Sequence, residues 1–410
     1  MVDRYLAQTE DELDQLGAEG LLAEDHHIDL KRELGNGSKA NKELARDLAS
    51  LAIDGGALYI GVAEGEAGEV PRLHPVQLQG LPERIDQVAR SAITPPLRVH
   101  PRVVPSRTTV GGGYLVVRVP PSPDAPHMVD GRYWGRGALT KEQLSDAQVR
   151  DVFERRSRAR EDAGQLLMAV TERDPTPPEL RDQAHLFVLA RPLFAPGDLL
   201  LRAFGTVSGT EWLGNNVLRG QPAEAPSQWA PDLVSNASNL SRRAQGWALH
   251  SYEVGEDRSL RSSREDRPPM ETGLLDLEFD EDGTVRLFCG RATDTVRSTR
   301  VAIDVLIAGL TRRVVVTASV IARDGTYFGP WVLGLAVTNL AGAVSLFENQ
   351  NMMGQAVPYS EEEYRMTTEG SFEELQEQAD VLVERLFGRL NRALTGGHFD
   401  STRIVVQQIG

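Results

Sequence analysis

One acid, then an aspartate and a lysine two residues apart, then a further acid: Glu24, Asp29, Lys31 and Glu64 have the spacing in this chain best suited to chemistry. Asp29 and Lys31 fall in Ile28-Asp29-Leu30-Lys31, which reads as a strand, so both side chains project from one face. Carboxylates so arranged can hold Mg²⁺ or Mn²⁺, and a neighbouring lysine can position water or neutralise charge developing on a phosphate. Glu24, Asp29 and Glu64 are thus candidate metal ligands, with Lys31 assisting catalysis. The competing reading is a surface strand with an Asp–Lys pair, because Asp-x-Lys is common by chance.

The elements that must place these residues follow from pattern. Leu6, Leu13, Leu16, Leu21 and Leu22 among acids predict an amphipathic helix within residues 5–23. Ser38 is placed to cap a helix from Lys39 to about Ile53, with Leu44, Leu48 and Leu51 on one face. Gly55-Gly56 end it, and Ala57–Val62 is apolar enough for a sheet centre. A helix over Leu81–Ala92 stops before Pro95-Pro96, and strands Leu97–Val104 and Tyr114–Val119 flank Gly111-Gly112-Gly113 as a hairpin. Arg132–Arg136 reads as a strand, and Thr140-x-x-Gln143 as the capping box of a helix reaching Arg160.

Beyond that helix the pattern predicts a strand at Leu186–Leu189, an ambiguous stretch from Asp198, a helix over Pro231–Gln245 and a loop over Ser262–Pro269. Asp280-Glu281-Asp282-Gly283 predicts a hairpin turn between Gly273–Phe279 and Thr284–Phe288. Thr299–Ile321 reads as a long helix, Trp331–Thr338 as a strand, and Phe372–Leu394 as a helix opened by Ser371-x-x-Glu374. Domains are expected at 1–20 (a leading helix), 21–160 and 161–410, with α/β (α+β) architecture: a mixed-sheet first domain and a second α/β domain.

The 410 residues carry a net charge of −15, unevenly distributed. Residues 1–30 sum to −8, residues 31–160 to +5 and residues 161–410 to −12. Gln87–Pro123 holds no acid but has Arg90, Arg98, Arg102, Arg107 and Arg118. That window, together with Arg136 beside Tyr133-Trp134, is a candidate phosphate and base contact; ordinary solvated arginines and core aromatics are the other reading. The acidic remainder suits a protein-facing or solubilising role. One cysteine, Cys289, excludes an intrachain disulfide and reads as a small buried hydrophobe. The start Met1-Val2-Asp3-Arg4-Tyr5 has no signal pattern and no run is expected to span a membrane, so the expected location is the cytoplasm. His26-His27, adjacent on a strand, would face opposite ways and form no metal pair; neither a Walker loop nor a G-x-S-x-G elbow is present.

Taken in order, Ile28-Asp29-Leu30-Lys31-Arg32, Leu51–Gly56, Leu58-Tyr59-Ile60-Gly61-Val62, Ile93-Thr94-Pro95, Val117–Ser122, Pro126-His127, Tyr133–Gly137 and Thr140 resemble the Schlafen-type, divergent Alba-like domain of bacterial proteins over roughly residues 20–155. The resemblance implies a mixed α/β sheet domain associated with DNA or RNA, acting in a regulator or defence factor. In animal Schlafen proteins a duplicated version cleaves tRNA and rRNA with three acids, which fall here on Glu24, Asp29 and near Glu64, with the family lysine at Lys31. Asp29 stands where glutamate is usual and Ala63 where an acid is common. Three functions stay open: a nucleic-acid-binding protein, a Mg²⁺- or Mn²⁺-dependent ribonuclease, and a nucleotide-sensing or protein-interaction module. The family's ATP-binding label finds no phosphate loop here, and the duplication makes a homodimer an expectation.

Overall fold

The computed structural model describes residues 7–65, 70–122, 124–137, 140–195, 197–219, 239–261, 271–347 and 357–395. The chain divides into two compact units, Met1–Arg158 and Ala159–Gly410.

The first unit opens with α1 (Glu10–Ala18), where the Thr9 hydroxyl accepts a hydrogen bond from the Glu12 amide. It is shorter than the expected 5–23 because Gly20 turns left-handed at φ 71. Then come β1 (Ile28–Lys31) and α2 (Ser38–Leu51). Gly37, at φ 89, holds the N-cap position, so Ser38 is the first helical residue and not the cap. The strand expected over 57–62 is β2 (Gly56–Ile60) followed by β3 (Val62–Ala63). Between them Gly61 has φ 93, and a Cβ there would lie 2.9 Å from the Tyr114 ring. β3 pairs with β4 (Arg72–Leu73), and β5 (Val76–Gln77) precedes α3 (Leu81–Ser91).

The hairpin β6 (His100–Pro105) and β7 (Gly112–Val119) forms as its glycines predicted. β8 (Met128–Val129), β9 (Arg132–Arg136) and β10 (Lys141–Gln143) make a small antiparallel sheet. The helix expected from Thr140 begins later, as α4 (Asp146–Glu172). Residues 141–143 pair instead with Arg136–Trp134, and the reciprocal cap is Ser145 with Gln148.

In the main sheet β1 runs parallel to β2, and β2 antiparallel to β7, which also receives β5 and β6. The sheet is therefore mixed. Alternation splits its side chains between two cores. Leu58, Ile60, Leu115 and Val117 pack with α2 and α3, while Tyr59, Tyr114 and Val116 pack with Leu13 and Leu16 of α1. Asp29 and Lys31 alternate with Ile28 and Leu30, which join the α1 core, so the charged pair is on the α2 side.

The second unit contains β11 (His185–Pro192), α5 (Leu199–Phe204), α6 (Gly209–Leu213), β12 (Asn239–Arg243), β13 (Gly246–His250), β14 (Leu275–Asp280) and β15 (Val285–Cys289). β16 (Thr293–Val296), β17 (Thr299–Ala302), α7 (Asp304–Asp324), β18 (Trp331–Thr338), β19 (Val344–Ser345), β20 (Tyr364–Gly370), α8 (Phe372–Glu377) and α9 (Ala379–Thr395) follow. Seven strands form one antiparallel sheet in the order β12-β13-β14-β15-β11-β18-β20. α5, α7 and α9 share one apolar core with it, and Cys289 is buried there.

Four expectations change in this unit. Thr299–Ala302 is a strand rather than the start of α7, paired with β16 and β19 and buried at Val301 and Ala302. Residues 239–243 of the expected helix are strand β12; residues 231–238, and the expected loop at 262–269, lie outside the described residues. The helix expected over 372–394 divides at Gln378, while its Ser371–Glu374 capping box forms. Contrary to the sequence expectation, α7 is long and apolar enough to cross a membrane; 72% of its apolar window is buried inside this unit.

Candidate nucleic-acid interface

The chemistry expected at β1 assembles as a charged network. The Arg136 side chain, 1% exposed, donates from Nε to the Asp25 carbonyl (2.8 Å), from Nη1 to Asp29 Oδ1 (2.9 Å) and from Nη2 to the Ile28 carbonyl (2.6 Å). Lys31 Nζ donates to the other oxygen, Asp29 Oδ2, and lies 3.8 Å from Asp47 Oδ2. Lys141 Nζ bridges Asp47 Oδ1 (2.6 Å) and Glu43 Oε2 (2.8 Å). Arg46 pairs with Glu43 at 2.6 Å and lies over the Trp134 ring at 5.0 Å. Burial raises the Asp47 carboxyl above its usual value, and the nearby Asp29 adds to the rise against the pull of Lys31 and Lys141. Burial disfavours the Lys141 ammonium, but Asp47 and Glu43 outweigh it and raise its pKa.

Glu24 and Asp25 serve the strand itself. Glu24 Oε1 accepts from the Leu30 amide at 3.1 Å, and Asp25 Oδ1 accepts from the amides of His27 (2.7 Å) and Ile28 (2.8 Å). Half-burial raises the Glu24 carboxyl, and repulsion from Asp29 and Glu64 raises it further. The three expected acids therefore share one neighbourhood. They do not form a ligand set: among the described residues no group of three His, Cys, Asp or Glu side chains is placed to hold a metal ion. Both oxygens of Asp29 are engaged by cations, one oxygen of Glu24 by an amide, and Glu64 is exposed at the end of β3. The residues as arranged do not fit a Mg²⁺ or Mn²⁺ centre, and no step is routed through one. His26 and His27 precede β1 rather than lying on it, and their rings meet edge to face at 5.2 Å. His26 Nε2 pairs with Asp54 at 2.9 Å.

The six candidate arginines separate by exposure. Arg136 is the buried clamp just described, and Arg118 is buried on the Tyr59 face of the sheet, opposite Ala57. Arg107 is tied to Glu10 (3.0 Å), Asp11 and Asp14 (3.0 Å) of α1. These three leave the expected phosphate surface, because burial or carboxylates claim their guanidinium groups. Arg98 and Arg102 are exposed, on β6 and the chain entering it, and Arg90 is exposed at the end of α3 beside Asp86. Trp134 packs against the α2 core and donates to the Val129 carbonyl at 3.4 Å; it is not a free stacking platform.

Sequence reasoning missed Asp47 and Lys141. The signal for Asp47 was there: it is a charge on the same helical stripe as Leu44, Leu48 and Leu51, where a carboxylate needs a partner. Lys141 gave none, because the strand that presents it was read as a helix start.

Comparison with known proteins gives the following likenesses. Residues 24–145 match the family model described as Schlafen, AlbA_2. Among solved structures, the N-terminal domain of a RecG-related protein from Nitrosomonas europaea is similar at 23% identity, covering 34% of this chain and 92% of that one, with a TM-score of 0.25. The DIP2311 protein of Corynebacterium diphtheriae is similar at 21% identity, covering 51% of this chain and 38% of that one, also at 0.25. No curated protein matches the chain. Residues 24–145 are thus similar to the Schlafen AlbA_2 domain, of a family generally related to nucleic acids.

Proposed function

We propose that the first unit binds nucleic acid through its phosphate backbone, with Arg90, Arg98 and Arg102 as the contacting cations. The observation that carries this reading is the acid-free stretch Gln87–Pro123, whose arginines at 98 and 102 remain exposed on one outer strand and its entry. Guanidinium groups suit this role because they present a planar fork of donors to phosphate oxygens. Among the described residues Arg90 pairs with Asp86 on the helix surface, a pairing weak enough to exchange for a phosphate. The buried Asp29–Arg136 network plays a different part: it fixes β1 and β9 as the frame behind the surface.

Residues 161–410, nearly all of the second unit, sum to −12 and are a poor partner for a polyanion. Binding of labelled tRNA and of duplex DNA, followed by anisotropy at rising salt, tests the reading. Wild-type protein should bind with strong salt dependence, and Arg98→Glu with Arg102→Glu should weaken binding to both. Binding that is indifferent to salt, or unchanged in that variant, rejects it.

A further inference from the structure

Hydrogen-bond alternation decides which backbone groups point outward at the β20 margin of the second unit's sheet. The Leu193 amide donates to the Pro330 carbonyl at 2.9 Å, one step beyond the β11–β18 register in which Pro192 lies opposite Trp331. Bonded and unbonded pairs alternate in an antiparallel ladder, so Val332, Gly334 and Ala336 turn their backbone groups to β11. Trp331, Leu333, Leu335 and Val337 turn theirs to Gly370, Thr368, Met366 and Tyr364 of β20. The amides and carbonyls of Arg365, Thr367 and Glu369 are left pointing out of the sheet. Among the described residues no strand pairs with that side of β20. The Glu369 carbonyl meets the side chains of Thr368 and Arg385, each at 3.4 Å, and Arg385 is itself held by Glu374.

This margin lacks the devices by which edge strands keep other strands away. β20 has seven residues and no proline, and it pairs one to one with β18 without a bulge. Tyr364 and Met366 face the helices, the Tyr364 hydroxyl donating to the Leu386 carbonyl of α9 at 2.6 Å. Arg365, Thr367 and Glu369 therefore share the opposite face, and Arg365 and Thr367 are exposed. Val381, 44% exposed, lies one turn before Arg385 on α9 and adds apolar surface beside the edge.

The outward face of β20 is complementary to a second copy of itself. Two copies laid antiparallel with Thr367 on a two-fold axis set every outward residue opposite an outward residue: Thr367 meets its own counterpart, and each Arg365 meets Glu369 of the other copy. Each such pair exchanges two backbone bonds, about six in all, and opposite charges directly across the pair attract. A slip of two residues either way breaks both Arg–Glu pairs. Arg365 now pairs with the exposed Glu363 at 2.8 Å and reaches Thr171 at 3.4 Å, surface contacts weak enough to exchange. We infer that β20 is the docking site for a second copy of this chain, joining two seven-stranded sheets antiparallel across Thr367. Nothing in this surface depends on nucleic-acid binding by the first unit.

The test is sedimentation velocity of the full chain from about 1 to about 100 µM, where the mass should rise from one copy to two and stop there. Thr367→Pro removes an outward amide and keeps the bonds to β18, so this variant should stay folded by circular dichroism and monomeric throughout. Arg365→Glu and Glu369→Arg each set like charges across the pair and should each weaken association about ten-fold; the two together should restore it. Hydrogen exchange at the amides of Arg365, Thr367 and Glu369 should slow only at concentrations where the dimer forms. A chain that stays monomeric over this range overturns the proposal, as does a folded Thr367→Pro protein that still dimerises or a double charge variant as weak as the single ones. Protection of the three amides in the monomer would put another segment of the same chain on the edge and overturn it too. Growth past two copies would do the same, since it requires a heterologous contact.

Discussion

The salt dependence of nucleic-acid binding can be worked out from the structure. Only Arg90, Arg98 and Arg102 of the candidate arginines are exposed and uncommitted to buried or multiple carboxylates. Neutralising three phosphates gives a slope of log affinity against log salt of about −2.7 on duplex DNA and about −2.1 on a single strand. Between about 50 and about 200 mM salt, duplex affinity should then fall by roughly 40-fold. Exchanging Arg98 and Arg102 for glutamate should reduce the slope to about −0.9, so that the same salt change costs only about 3.5-fold. Fluorescence anisotropy with a labelled duplex, with circular dichroism to establish that the variant is folded, reads both slopes. A double variant with the wild-type slope would show that phosphates are contacted elsewhere. A wild-type slope steeper than about −5 would mean that guanidinium groups judged unavailable, such as Arg107, leave their carboxylates on binding.

Three other outcomes follow from the geometry. Arg136→Ala should destabilise the first unit by about 3–5 kcal/mol in urea unfolding, since it leaves Asp29 buried with Lys31 alone, and Arg136→Met combined with Asp29→Leu should recover much of the loss; a neutral single variant would contradict the clamp. Labelled tRNA should stay intact with Mn²⁺, and Glu24→Ala should cost about 1 kcal/mol through the lost Leu30 amide partner; cleavage that disappears in Glu24→Ala would restore the metal reading. The buried histidines should give the units opposite pH responses. Burial disfavours the His185 imidazolium, but hydrogen bonds to Asp174 (2.7 Å) and Glu271 (3.0 Å) outweigh it and raise the pKa, so its stabilisation is complete below about pH 6.5 and lost as pH rises through the raised value. Burial lowers the pKa of His127, which pairs with Ser122 and the Pro95 carbonyl, so the first unit should lose stability as pH falls below about 6.5. Urea midpoints across pH, with His185→Gln flattening the alkaline arm alone, check both signs.

Much of the local order was legible because it is encoded locally. The period-2 spacing of Asp29 and Lys31 put them on one face, Gly283 at φ 90 closes the turn after Asp280, and Ser371 caps its helix as the Glu374 spacing required. What was not legible depends on partners distant in sequence. Two Ser/Thr-x-x-Gln patterns stand near residue 143; pairing with β9 claims the first and leaves Ser145 to start the helix. Thr299–Ala302 adjoins an apolar helix without a break in hydrophobicity, and only its pairing with β16 and β19 makes it a strand. Arg136 looked like one more surface arginine because its carboxylate is 107 positions away.

The side chains of Glu24 and Asp25 have a consequence for how copies of this protein can meet. They occupy the Ile28 and Leu30 amides on the outer side of β1, so that border has few free donors for another chain's backbone. At the opposite border, β6 carries Pro101 and Pro105, which have no amide to offer. Continuation of this sheet from one molecule into the next is therefore disfavoured at both margins. Contacts between copies made by the first unit would then have to come from side-chain faces rather than from a continuous sheet.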